Sequence, residues 1–83
     1  MITLQLFSTA GCHLCELAFE QVKSLPNADQ INLQIVEIGD DDGLVEQYGI
    51  RIPVLKFPDN SELNWPFEQH NILQKIAVVT EEL

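Results

Sequence analysis

A pair of cysteines separated by two residues constrains this 83-residue chain more than any other feature. Cys12-His13-Leu14-Cys15 follows the segment Ile2 to Phe7, in which apolar and polar residues alternate as they do in a β-strand. The pair also opens a segment with apolar residues at helical spacing, which Pro26 ends. Those apolar residues are Leu14, Leu17, Ala18, Val22 and Leu25. The pattern therefore predicts a strand, a short loop and a helix, with Cys12 at or just before the first helical turn.

That position suits the two cysteines to thiol–disulfide chemistry. Residues three apart on a helix lie on neighbouring turns of one face, close enough to form a disulfide. The helix dipole and the free N–H groups of the first turn stabilise a thiolate there, lowering its pKa from ~8.5 to roughly 3.5–7.5. We therefore predict that Cys12 attacks a substrate and that Cys15, one turn further in, resolves the mixed disulfide. His13 is either a residue that lowers the pKa of Cys12 when protonated or an ordinary solvated residue.

The rest of the chain alternates between strand and helix patterns, and it contains no repeat or linker. The predicted elements are a central strand at Ile31 to Ile38, a short helix at Leu44 to Tyr48, a hairpin of Val54 to Phe57 with Glu62 to Trp65, and a last helix opened by Pro66. The order β-α-β-α-β-β-α predicts one α/β domain over residues 1–83.

At these residues the chain resembles the glutaredoxin branch of the thioredoxin-like superfamily. It is similar to small bacterial glutaredoxin-like proteins that carry G-C-H-L-C-E, here Gly11 to Glu16, and it shares with the superfamily Arg51-Ile52-Pro53-Val54 before the third strand. The resemblance covers essentially the whole chain. It implies a three-layer fold with a four-stranded mixed sheet in the order 2-1-3-4, flanked by helices. It also implies that the Ile52–Pro53 bond is cis and lies beside the disulfide.

The predicted substrate site consists of His13, Arg51, Ile52 and Pro53. Cis bonds are nearly confined to X-Pro, and such a turn would leave the backbone groups of Ile52 free to pair with an extended substrate. The alternative is an ordinary trans proline that starts a strand.

Glutathione is a possible co-substrate, and the sequence predicts that it binds weakly. Typical glutaredoxins, the family that this chain resembles, carry a basic residue shortly before the first cysteine and a Gly-Gly turn before the last helix. Here those regions read Ser8 to Gly11 and Leu63 to Phe67, without either feature. Arg51 is the one cation placed to hold a glutathione carboxylate, because no Lys or Arg occurs between Met1 and Val22.

The charge of the chain excludes some partners. Thirteen acidic residues against four basic ones give a net charge of −9, which repels nucleic-acid phosphates and anionic membranes. No charged segment followed by an apolar stretch opens the sequence, so we expect no signal peptide and a cytoplasmic location. In a reducing compartment, two cysteines three apart are more often catalytic or metal-binding than a structural crosslink.

The sequence therefore predicts a monomeric thiol–disulfide oxidoreductase without a bound cofactor. Its substrates would be protein or small-molecule disulfides, including glutathione mixed disulfides, and a reductase that the motifs do not specify would recycle it. One alternative is a thioredoxin-like binding module that docks a partner beside Pro53 and has non-catalytic cysteines. Another is a dimer that carries a metal or an iron–sulfur cluster between its cysteines. Zinc within one chain is disfavoured, because Cys12, Cys15, His13 and His70 are the only Cys and His residues.

Overall fold

The structure is a computed structural model that describes residues 2–82, with side chains described for residues 2–79. Its strands are β1 (Ile2–Ser8), β2 (Ile31–Glu37), β3 (Val54–Lys56) and β4 (Glu62–Asn64). Its helices are α1 (His13–Lys23), α2 (Asp42–Tyr48) and α3 (Gln69–Glu82), and a 3₁₀ turn at Ala28–Gln30 precedes β2. The order of these elements along the chain is the predicted β-α-β-α-β-β-α.

The four strands form one mixed sheet in the order β2-β1-β3-β4. Strand β1 pairs with β2 in parallel along its whole length and with β3 in an antiparallel manner. Strands β3 and β4 form an antiparallel hairpin. This arrangement confirms the predicted α/β thioredoxin-like fold with a four-stranded mixed sheet.

The core lies on both faces of the sheet because side chains alternate along β1. Leu4 and Leu6 are buried on one face, in a cluster with residues of α1 and α3. Phe7 is buried on the other face, where it stacks on Tyr48 of α2 with ring centroids 4.3 Å apart. Burial of each such side chain contributes about 1.5–3 kcal/mol. The end of β1, which leads to the cysteines, is therefore held from both sides.

Strand β2 is an edge strand, so the prediction that it is central was wrong. Its apolar residues instead serve two core clusters. Ile31 belongs to the cluster of Leu4 and Leu6, while Val36 packs against the cluster that contains Phe7. Ile35, between them, is 51% exposed. Two of the predicted apolar positions of α1, Leu14 and Leu17, are also exposed, by 44% and 38%. Alternation and helical spacing identify elements, but the tertiary neighbours decide which positions are covered.

Helix α3 begins at Gln69 rather than at the predicted Pro66. Phe67 is buried in the core and its carbonyl oxygen accepts a hydrogen bond from Gln21 Nε2 of α1, which holds the chain against α1 before the helix starts. Across the residues described, no helix has the length and apolar character needed to cross a membrane.

Candidate active site

Cys12 is the N-cap residue of α1. Strand β1 ends at Ser8, a short loop follows, and Cys12 has the extended backbone conformation (φ −85°, ψ 104°) typical of an N-cap. Its Sγ accepts a hydrogen bond from the backbone N–H of Cys15 at 3.2 Å. A sulfur that carries negative charge at this position is stabilised by the same N–H group and by the helix dipole.

The two cysteines form a disulfide, with their Cα atoms 5.3 Å apart. They differ in exposure, since Cys15 is 4% exposed whereas Cys12 is half-buried. Cys12, at the helix N-terminus, is therefore the more accessible residue, while Cys15 lies one turn further into the protein. This asymmetry is what thiol–disulfide exchange through a mixed disulfide requires.

His13 occupies the first turn of α1, and its side chain is 79% exposed. Its Nδ1 lies 3.5 Å from a carboxylate oxygen of Glu16, one turn further along the helix. The imidazole is thus available to solvent beside the disulfide, and its role toward a substrate stays a prediction.

Glu37 holds the loop before Cys12, and the sequence did not reveal this role. Its Oε1 accepts the N–H of Ala10 at 2.9 Å, and its Oε2 accepts the N–H of Gly39 at 2.7 Å. Hydrogen bonds from the Gly39 N–H, from the Thr9 side chain and from the Ala10 N–H lower the pKa of the Glu37 carboxyl. The signal that could have indicated this contact is the pairing of the strands. The parallel register of β1 and β2 places Glu37 opposite Ser8, at the start of the loop.

The turn of residues 51–53 lies at the same end of the sheet as the disulfide. Val54 pairs with Phe7 in the antiparallel register of β1 and β3, so the preceding Pro53 lies level with the end of β1. Pro53 is fully buried, and the Ile52–Pro53 peptide bond is cis. The contact of Pro53 with the Cys12 sulfur stays a prediction.

The backbone of Ile52 is only partly available to a substrate. Its N–H donates to the carbonyl oxygen of Tyr48 at 3.0 Å, so the prediction that both backbone groups are free was wrong. The N–H of Arg51 donates to the same oxygen at 2.8 Å, because the last turn of α2 leads directly into this segment. Within the described part of the chain no hydrogen bond to the Ile52 carbonyl oxygen is found, and its pairing with a substrate stays a prediction.

The guanidinium group of Arg51 is bonded within the protein. Its Nη2 lies 2.7 Å from Oε1 of Glu62 and 3.1 Å from Oδ1 of Asn64, and the group lies over the Tyr48 ring at 5.1 Å. The Tyr48 hydroxyl donates to the other carboxylate oxygen of Glu62 at 2.6 Å. This hydrogen bond lowers the pKa of Glu62 and raises that of Tyr48. Arg51 therefore braces the turn against β4.

A groove of about 430 Å³ opens along α1 and β2 and reaches the disulfide. Both cysteines line it, and so do the loop residues that precede them. His70 is elsewhere, on α3, with its Nδ1 3.3 Å from a carboxylate oxygen of Glu68. In residues 2–79, no three His, Cys, Asp or Glu side chains come together in a group that could hold a metal ion.

Comparison with known proteins agrees with this geometry. The sequence matches the family described as Glutaredoxin-like domain (DUF836) over residues 3–77. An X-ray structure of the Northeast Structural Genomics target protein XcR50 from X. campestris is 33% identical, with a TM-score of 0.75, over 90% of this chain and 96% of that one. A solution structure of XcR50 is 35% identical, with a TM-score of 0.77, over 94% and 95% of the two chains. No curated protein sequence is significantly similar. The chain therefore belongs to the glutaredoxin-like domain family, as a thioredoxin-like module with a Cys-x-x-Cys pair.

Proposed function

We propose that this protein is a thiol–disulfide oxidoreductase that reduces protein disulfides or small-molecule disulfides, including glutathione mixed disulfides. The observation that supports this most is the asymmetry of the cysteine pair. Cys12 is half-buried at the N-cap, and its sulfur accepts an N–H hydrogen bond, whereas Cys15 is buried one turn behind it. Such a pair has one sulfur for attack and one for resolution.

In the first step, the Cys12 thiolate of the reduced protein attacks one sulfur of the substrate disulfide. A bond forms between the two sulfurs, the substrate S–S bond breaks, and the departing thiolate takes a proton from solvent. The backbone N–H of Cys15 and the helix dipole stabilise the attacking thiolate before the reaction.

In the second step, Cys15 loses its proton and attacks the Cys12 sulfur, which lies within disulfide distance. The mixed disulfide breaks and the second substrate thiolate leaves and is protonated. Two electrons pass from the dithiol to the substrate in total, and the protein is left with the Cys12–Cys15 disulfide. A thiol donor, either two glutathione molecules or a dithiol protein, must then reduce this disulfide.

We further propose that glutathione is a poor donor for this step. It is a net anion, and the protein carries a net charge of −9. The candidate clamp, Arg51, is already paired with Glu62 at 2.7 Å. A contact from a partly exposed arginine contributes only ~0.5–1 kcal/mol. We propose a monomer without a bound cofactor that works in the reducing cytoplasm, apart from nucleic acids and membranes.

The test compares the protein with two single-cysteine variants in an insulin-reduction assay supported by dithiothreitol. We expect Cys12→Ser to abolish the protein's acceleration of insulin reduction over the rate with dithiothreitol alone. Cys15→Ser, reduced and then separated from dithiothreitol before insulin is added, should accumulate a one-to-one mixed disulfide at Cys12, seen by intact mass, because no resolving thiol is then present. Running the wild type with a glutathione system and with a thioredoxin reductase system then identifies the donor. Insulin reduction at the same rate with Cys12→Ser would refute the proposal and favour a binding module.

A further inference from the structure

We propose that the groove along α1 and β2 binds the polypeptide segment that flanks a substrate disulfide, and that it prefers an apolar side chain together with a Lys or Arg. This inference rests on the proposed function and specifies its substrate class. Cys12 and Cys15 both line the groove, so a chain joined to Cys12 has its neighbouring residues within reach of it.

The floor of the groove is apolar. Leu6 and Ile35 lie opposite each other in the parallel register of β1 and β2, and both line the groove. Phe19 of α1 adds an aromatic ring that is 38% exposed. Ile35 is 51% exposed because β2 is the edge of the sheet. The volume of about 430 Å³ lies in the range of sites that enclose small ligands, so an apolar side chain fits it.

The groove is also acidic at the cysteine end. Glu16 and Glu20 line it, and Glu37, which is outside the lining, accepts a hydrogen bond from Ala10 of the loop that does line it. Its lining includes no Lys or Arg among the described residues. Lys23 lies outside this lining, with its Nζ 5.7 Å from the Phe19 ring centroid. It is eleven residues after Cys12, about 16 Å along the helix. Because the carboxylates lie nearer the disulfide, a cation next to the substrate cysteine is complementary to the groove.

The opposite side of the disulfide offers less to a side chain. There the N–H of Ile52 and the guanidinium of Arg51 are bonded within the protein. The groove, and not the turn of residues 51–53, is therefore the surface that selects substrate side chains.

The experiment uses symmetric disulfides of short capped peptides that differ only beside the cysteine. One peptide reads Leu-Cys-Lys, the second Leu-Cys-Glu and the third Ser-Cys-Lys. Bis(2-hydroxyethyl) disulfide serves as a neutral substrate without flanking residues. Each rate constant is divided by the rate constant of the same disulfide with dithiothreitol, because a neighbouring charge changes the intrinsic reactivity of the disulfide.

At low ionic strength we expect Leu-Cys-Lys to react about tenfold faster than Leu-Cys-Glu after this correction, and the advantage should shrink in ~0.5 M salt. The double variant Glu16→Gln with Glu20→Gln should remove most of the preference for the cation. The matched control, Asp29→Asn with Glu46→Gln, removes the same charge from exposed sites outside the groove and should keep it. Ile35→Thr should reduce the advantage of Leu-Cys-Lys over Ser-Cys-Lys.

The outcomes separate the two proposals. Equal corrected rates for the three peptides, with normal reduction of bis(2-hydroxyethyl) disulfide, would show that the groove does not select substrates. The proposed reductase function would be unaffected. An equal loss of preference in the control double variant also overturns it, because the effect would then come from overall charge. Failure to reduce any of the four disulfides, bis(2-hydroxyethyl) disulfide included, overturns the proposed function itself.

Discussion

The two sides of the redox pair are built in opposite ways. On the side of β3 and β4, polar groups are bonded to one another: the Glu62 carboxylate receives hydrogen bonds from both Tyr48 and Arg51. On the side of α1 and β2, the groove leaves Phe19 and Ile35 substantially exposed. A network whose polar groups are hydrogen-bonded to one another keeps its geometry without a partner. An exposed apolar groove, in contrast, favours binding of a partner that covers it and removes its surface from water. The first side is therefore scaffold, and the second is the surface on which specificity can be built.

Glu62→Ala should have the largest effect on stability. It removes the acceptor of the Tyr48 hydroxyl and the partner of Arg51, and hydrogen bonds to charged groups contribute ~1.5–3 kcal/mol. Because Glu62 is partly solvated, we expect a loss of about 2 kcal/mol in the free energy of unfolding, measured by urea denaturation. Glu46→Ala, on the exposed face of α2, is the control and should change stability by less than ~0.5 kcal/mol. Equal losses would show that the network is not a scaffold.

The same network predicts how stability depends on pH. The pKa of Glu62 is lowered in the folded protein, mainly by the hydrogen bond from Tyr48, so its contribution is present above its ordinary value of 4.5 and is lost as the pH falls through the folded value. The pKa of Tyr48 is raised above 10.0, mainly by the same hydrogen bond, so its contribution is lost as the pH rises beyond that value. Urea midpoints between pH 3 and 11 test this. Glu62→Gln should reduce the change of the urea midpoint with pH at both the acidic and the alkaline end. An unchanged pH dependence would contradict the assignment to Glu62 and Tyr48.

Glu37→Gln should have the smallest effect. Glutamine keeps one oxygen as an acceptor for the Ala10 N–H, loses the second oxygen that accepts the Gly39 N–H, and removes the negative charge close to the loop before Cys12. We expect a loss of about 1 kcal/mol in the free energy of unfolding and a rate of Cys12 alkylation up to about threefold higher, because less negative charge opposes the thiolate. Asp40→Asn removes an exposed charge without a bond to the loop and serves as the control. A slower rate in Glu37→Gln alone would show that the ordered loop matters more than the charge.

Much of the fold could be predicted from the sequence because its signals are local. Alternation in Ile2 to Phe7 and turn residues around the hairpin place strands within a residue or two of their observed bounds. The helical spacing of the apolar residues from Leu14 onward likewise predicts that Cys12 lies at the start of a helix, where it is the N-cap.

The remainder depends on pairs that are distant along the chain. The link from Glu37 to Ala10 spans 27 residues, and the link from Tyr48 to Glu62 spans 14. The hydrogen bond that occupies the Ile52 N–H depends on how α2 ends, which no motif specifies. The edge position of β2 follows from strand order alone, and a strand's composition does not reveal its neighbours.

In the proposed mechanism Cys12 is the attacking thiol and Cys15 is the resolving one. Reduced protein treated with one equivalent of iodoacetamide at about pH 6, then digested and mapped by mass, tests it most directly. We expect the label on Cys12, because Cys12 is the more exposed residue of the two and lies at the helix N-terminus. Label found first on Cys15, or shared equally between the two, would contradict it.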